Sequence, residues 1–468
     1  MKKNKLIALI LMITTVMTMF STVFANDEEL INTPMLISAD APILIAPNPN
    51  AAKNNDSIKV QLNDGLIDFT DEKGEVVEPQ IINGRTMVPM RKIFEVFGAE
   101  VGWNGETKTI TATTPEKVLT LQIGSDKASI ATSGDVEEIT LDSVPVVKGG
   151  RTLVPVRFIA ESLDLRVGWV SEEKTVVILD TAFIWETLER EVPTFYEYIT
   201  QEYVMPETYE TDLKITGNVN YTDEANKKNN TSLKINLSGK AKKAEDKLGV
   251  DLTFKSSGKG SLLETLKENG LDSATLKMAM DLKEMKMYMK STLLESEIGK
   301  KWAAIDFASQ LEETEAMLGM LSGENLNVEE AIEMLLDNVE LTTSTYYDID
   351  AILDIICLFA SDEYFTVSGR TAKTYTYEIS FGDILDILGV IGDETEKKEI
   401  LDTLNFTIKM NEKVKDGITS ASDAEITFGY ESEGEKVDVT LDITSVVTKM
   451  NSKVSITIPT EKDIVVIE

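Results

Sequence analysis

Apolar and polar residues alternate through most of the second half of the chain. Leu213, Ile215 and Val219 begin one run, Leu233, Ile235 and Leu237 a second, and Val250, Leu252 and Phe254 a third. This period of two is the signature of strands with one buried face. Leu276, Met278, Met280 and Leu282 continue it, and Met285, Met287 and Met289 follow across a turn expected near Lys283 and Glu284. Helical spacing then takes over at 307–321, 328–339 and 349–360. In the second of these, Val328, Ile332, Leu335, Leu336 and Val339 make an apolar stripe behind a candidate N-cap, Asn327. Alternation returns at 375–379, 406–410, 426–428, 437–443 and 454–458, with a helical pair inside 382–401. This order predicts a large antiparallel sheet with helices inserted mid-chain.

The first 57 residues read differently. Lys2, Lys3 and Lys5 precede an uncharged apolar run over 6–24, and Val23-Phe24-Ala25 places small side chains at the −3 and −1 positions of a cleavage site. Residues 1–25 are therefore expected to be a signal peptide, removed after Ala25, with a retained anchor as the alternative. No cysteine follows the run, so no lipid anchor is expected. Pro34, Pro42, Pro47 and Pro49 among Ala, Asn and Asp mark 26–57 as an extended linker.

A repeat lies between these regions. Gly84-Arg85-Thr86-Met87-Val88-Pro89-Met90-Arg91 recurs 66 residues later as Gly150-Arg151-Thr152-Leu153-Val154-Pro155-Val156-Arg157, and Gly102-Trp103 recurs as Gly168-Trp169. Over 84–109 against 150–175, 14 of 26 positions are identical. Each copy reads as a turn, a short extended segment, a helix (93–97 and 158–163) and a hairpin flanking Gly-Trp. The proline fixes φ at the strand-to-helix switch, the glycine supplies turn geometry, and the tryptophan is expected to anchor the core. Arg85, Arg91, Arg151 and Arg157 are expected to bond carboxylates or turn carbonyls, with anion binding as the functional alternative. A connecting helix is expected over 182–205, bent or restarted near Pro193.

The phrases NGRTMVPMRKIFEVFGAEVGWN and GGRTLVPVRFIAESLDLRVGW resemble the copper amine oxidase N-terminal, or stalk, domain over about 58–181. The resemblance implies a small two-repeat α+β module, non-catalytic in the family that names it and common in exported proteins of Gram-positive bacteria. The oxidase chemistry itself needs three histidines and a tyrosine-derived quinone. Tyr221, in Asn220-Tyr221-Thr222, lacks the acidic residue expected after such a tyrosine. The layout over 206–468 is similar to exported lipid-binding half-barrels of the LolA and LppX type. The phrases carrying that likeness are Met287-Tyr288-Met289, the segment Lys301-Trp302-Ala303-Ala304-Ile305-Asp306 and the terminal Val454-Ser455-Ile456-Thr457-Ile458-Pro459.

Composition narrows the function classes. The 468 residues contain no histidine and one cysteine, Cys357, expected to be buried in its apolar run. Imidazole-activated nucleophiles, histidine metal sites and amine oxidation are thereby excluded. Lys and Arg number 46 against 80 Asp and Glu, a net charge of −34, of which −26 falls after Ala182. Nucleic acid is not an expected partner of such a surface. The methionine alternation has three readings. Met278, Met280, Met285, Met287 and Met289 fill a core, line an apolar-ligand cavity, or bind copper(I) through thioethers. Lys277, Asp281, Lys286 and Lys290 mark the opposite face as the wet one. The expectation overall is a secreted α+β protein, associated with the cell wall and without catalytic residues, cofactor or metal. A stalk would position a β-rich interaction domain toward a cell-envelope component or another protein, and the membrane would be met only through the signal peptide before cleavage. The alternative is a carrier or sensor of a lipid-like apolar ligand.

Overall fold

In a computed structural model of the chain, the structure describes residues 57–70, 74–204, 206–225, 227–306, 336, 339–389 and 394–466. The expected signal peptide, nearly all of the linker, the helical pattern at 307–321 and most of that at 328–339 lie outside the described residues. The fold is α+β. Two compact units are present, one running up to Arg190 and taking in Leu336–Ile356, the other beginning at Glu191 and resuming at Cys357.

The first unit opens with β1 (Lys59–Leu62) and β2 (Gly65–Leu66). The first repeat supplies β3 (Gln80–Ile82), β4 (Arg85–Pro89), α1 (Met90–Val96), β5 (Glu100–Asn104) and β6 (Thr109–Thr113). After β7 (Val118–Gln122), β8 (Lys127–Ala131) and β9 (Val136–Thr140), the second repeat gives β10 (Val146–Lys148), β11 (Arg151–Pro155), α2 (Val156–Glu161), β12 (Arg166–Val170) and β13 (Thr175–Leu179). The unit continues into α3 (Ala182–Glu191). Both helices begin directly after their proline, three and two residues earlier than the apolar spacing suggested, because Pro89 and Pro155 end the strand in an extended conformation.

The two copies interlock. Strands β4 and β11 pair antiparallel at the centre of a sheet ordered β10-β11-β4-β3. Each closes a two-residue hairpin whose central residues are left-handed, Asn83–Gly84 in one copy and Gly149–Gly150 in the other. That geometry matches the twist of the strands and accounts for the glycine of the motif. The outer hairpins differ: β6 joins β7 in a five-stranded sheet, whereas β13 pairs in parallel with β1. Val88, Ile93, Phe94, Ile110, Leu119, Val154, Ile159 and Ile178 are fully buried in one shared core.

In the second unit α4 (Pro193–Thr200) precedes β14 (Thr208–Asp223), β15 (Thr231–Ala244), β16 (Lys247–Lys259), α5 (Ser261–Glu268), β17 (Ser273–Asp281), β18 (Lys286–Ser291) and β19 (Trp302–Asp306). Helix α6 (Thr345–Phe359) belongs to the first unit as far as Ile356, and β20 (Phe365–Ser368), β21 (Lys373–Ser380), α7 (Phe381–Leu388), α8 (Glu394–Thr403), β22 (Leu404–Lys415), β23 (Ile418–Ser432), β24 (Glu435–Met450) and β25 (Ile464–Val466) complete the second. The strands form one twelve-stranded sheet, ordered β20-β21-β22-β23-β24-β14-β15-β16-β17-β18-β19-β25, antiparallel except at β19 and β25. Cys357 is half-buried rather than buried, because α6 leaves Ile352, Ile355 and Leu358 exposed while burying Leu353.

Candidate functional site

The motif residues of the two copies meet in a cleft of about 350 Å³. The hairpin turn of the first copy places Gly84, Arg85 and Thr86 on one wall. The second copy supplies Pro155, Val156 and Arg157 from the start of α2, and Val167, Gly168 and Trp169 from β12. Asp142, between β9 and β10, completes the polar part, and Ile81 and Val176 add to the apolar part. Arg85 donates from Nε to Asp142 Oδ2 and from Nη1, at 3.4 Å, to the carbonyl of its neighbour Gly84. Arg157 Nε lies 4.0 Å from Glu161 Oε1, beyond hydrogen-bond reach.

The equivalent positions of the other copy behave alike in part. Arg151 Nη2 lies 3.5 Å from Glu75 Oε2, as Arg85 pairs with Asp142, while Arg91 is exposed. The tryptophans correct an expectation. Trp103 is 48% and Trp169 38% exposed, so neither anchors the core. Val101 and Val167, two residues earlier on the same strand faces, pack against the core, and the tryptophans fall beyond its edge near the hairpin tips. Gly168 also differs from Gly102 in its surroundings. Leu341, from the late segment of this unit, sits so close that a Cβ on Gly168 would lie 2.7 Å from Cβ of Leu341. Beside it Gln61 donates to the carbonyl of Thr343 at 3.0 Å, and Thr343 Oγ1 donates to Glu173 at 2.9 Å.

The twelve-stranded sheet carries a second feature, an apolar face running from strand to strand. Ile379, Ile408, Ile426 and Leu441 stand in register, as do Phe406, Phe428, Val439 and Val219. A third row links Tyr377, Met410, Ala424, Ile443, Ile215 and Leu237. At its β14–β18 end this face is a core of Ile215, Leu237, Val250, Leu252, Leu276, Met278 and Met289. At its β22–β24 end it opens: Phe406, Ile408 and Ile426 are half-buried, Met410 is 46% and Phe428 40% exposed. Phe381 of α7 stacks on Phe406 at 5.2 Å.

The methionines belong to the closed end. Met278 faces Met289 and Met280 faces Met287, and Met278, Met280 and Met289 are buried. Met285 departs from the alternation, sitting at a left-handed turn position with φ 53°. The opposite face is not uniformly wet there, since Ala279 and Tyr288 are buried, and Ile456 packs over Gly249, the neighbour of Ala279 in the ladder.

Comparison with known proteins bears on the first unit. Residues 70–178 match the family model of the copper amine oxidase N-terminal domain. None of the curated proteins matches the chain. Among solved structures, a β-barrel-like protein of a domain of unknown function from Brucella abortus aligns at 7% identity over 52% of this chain and 100% of its own, with a TM-score of 0.16. Transferrin-binding protein B of Haemophilus parasuis aligns at 10% identity over 81% of this chain and 44% of its own, with a TM-score of 0.09.

Outside the copper amine oxidase N-terminal-like module, one cluster had no sequence signal. Phe195 and Tyr198 of α4 pack with Tyr203, Phe365, Tyr375 and Tyr377, the rings of Tyr198 and Tyr375 being 5.0 Å apart. Tyr198 donates to Glu412, which also accepts from Thr419. Burial, with the Glu412 charge behind it, pushes the Tyr198 phenol far up. Hydrogen bonds from Lys373 and then Tyr375 hold the Glu197 carboxyl below its usual range. These partners come from strands 175 residues or more further along the chain, so no local pattern announces them.

Proposed function

We propose that this chain is an exported, non-catalytic binding protein of the cell envelope. The copper amine oxidase N-terminal-like module serves as the stalk, and the open end of the apolar sheet face is the surface that takes a partner. One observation carries the reading: three registered apolar rows cross β22, β23 and β24, and the row through Met410, Ala424 and Ile443 continues into the buried core at Ile215 and Leu237, so the face passes from core to half-exposed surface at Met410 and Phe428. An apolar patch continuous with a core costs stability unless something covers it, and it marks a contact site. Support for export comes from the basic, apolar and small-residue pattern of residues 1–25.

A second reading makes the occupant a lipid-like molecule rather than a protein segment. The same face continues into Met278, Met280, Met287 and Met289, whose flexible thioethers adapt to a ligand's shape. Purifying the full chain without detergent, recording native mass spectra and extracting with solvent tests both. A stoichiometric extractable lipid selects the carrier. A lipid-free chain that saturably binds an amphipathic helical peptide selects the interaction protein. A chain that binds neither overturns the assignment of this face.

A further inference from the structure

We infer that the cleft between the two repeats of the stalk-like module binds an acidic sugar, a pyranose ring bearing a carboxylate. The cleft is independent of the sheet face and of what that face binds. Its volume of about 350 Å³ lies at the low end of the range for small-ligand sites, the size of one or two sugar rings. Its wall chemistry divides by type. Trp169 offers a partly exposed indole, the surface on which the C–H face of a pyranose stacks. Arg85 and Asp142, already paired, place a planar donor and a planar acceptor side by side, as two vicinal hydroxyls require. Val156, Val167 and Val176 make the floor apolar.

The anionic preference comes from Arg157. Its Nε is ion-paired with Glu161 at 4.0 Å, too far for a hydrogen bond, so the pair leaves the guanidinium donors to a carboxylate that approaches in bidentate geometry. Arg85 is paired with Asp142 inside the cleft, whereas the carboxylate beside Arg157 is Glu161, an exposed neighbour on α2 that does not line the cleft and that an incoming carboxylate must displace. Arg157 is a local exception in a chain of net charge −34. An anion reaching this cleft meets a cation where most of the surface would repel it. The carboxylate could come from a uronic acid or from the lactyl ether of N-acetylmuramic acid, and both present the same chemistry.

Calorimetric titration of the full chain tests the inference with four probes: a glucuronic acid oligosaccharide, a disaccharide containing N-acetylmuramic acid, neutral cellotriose, and the dipeptide Ala-Glu. Binding of one or both acidic sugars, with cellotriose weaker by roughly ten-fold, is the expected result, and the stronger of the two names the source. Arg157→Gln should lower acidic-sugar affinity by about ten-fold, while Arg370→Gln, an exposed arginine of the other unit, leaves it unchanged. Sugar binding should alter tryptophan emission in Trp103→Phe but not in Trp169→Phe. Equal binding of cellotriose, tighter binding of Ala-Glu, no sugar binding at all, or full affinity in Arg157→Gln would each overturn the proposal.

Discussion

Val88 lies directly opposite Val154 in the ladder between β4 and β11, flanked by Met87 opposite Pro155 and Pro89 opposite Leu153. Val88 and Val154 are equivalent positions of the 66-residue repeat, and the two flanking pairs exchange under it, so the two copies meet about a local two-fold axis. The copies are not beads in tandem, because each supplies the other's central strand neighbour. Both valines are fully buried, so Val88→Ala and Val154→Ala should each cost about 1–3 kcal/mol. Chemical denaturation should return nearly equal values. A large inequality would show that the two halves of the core are packed differently.

Equivalence stops at the Gly-Trp pair. Gly102 has room for a methyl group, with Thr111 at 3.6 Å, whereas the same group on Gly168 would collide with Leu341. Gly102→Ala should therefore leave the melting temperature nearly unchanged, and Gly168→Ala should lower it by several degrees. Equal responses would remove the packing of the late segment on the second repeat.

The buried phenol of Tyr198 gives a third test. Tyr198→Phe removes the donor to Glu412 while keeping the ring packing, at a cost of about 1 kcal/mol. In an ultraviolet pH titration Tyr198 should stay protonated until the chain unfolds in alkali, since its pKa is raised. A phenol count reaching completion in the folded protein would contradict its burial.

Acid stability follows from two carboxylates whose folded pKa values are depressed. Glu210 accepts from Lys240 at 2.8 Å and Lys449 at 3.0 Å, and those bonds hold its pKa down. Glu197 is held down by Lys373 and Tyr375. A depressed carboxylate contributes stability that is complete above the ordinary glutamate pKa and is lost as pH falls through the folded value. The melting temperature should be flat from neutrality to about pH 5 and fall below about pH 4. Glu210→Gln should be less stable than the parent at pH 7, with the difference shrinking in acid. A difference independent of pH would refute the ion-pair account.

Much of the fold was legible because its signals are local. The alternation of Val250, Leu252 and Phe254 reports a strand wherever it pairs, and the paired Gly-Arg-Thr motifs announce turns because glycine, with no Cβ, enters the left-handed region without strain. Tryptophan misled, since its size suggests a core while its place at a hairpin tip decides its exposure. Met285 misled because a run of alternating methionines crosses a turn without changing composition. The cleft was half legible: its arginines stood out, but their convergence with Asp142 depends on the strand pairing of the two copies. The packing of Leu341 on Gly168 and the bond from Gln61 to Thr343, 282 residues away, left no trace at all. Contacts of that kind are set by tertiary structure and carry no periodicity.

The central claim concerns the open end of the sheet, and titration of the full chain with an environment-sensitive apolar dye tests it most directly. Wild-type chain should bind the dye saturably, and Met410→Ser with Phe428→Ser should weaken binding by about ten-fold while leaving the melting temperature close to the parent's, because both side chains are already partly exposed. Absence of saturable binding, or binding unchanged in the double variant, would contradict the account.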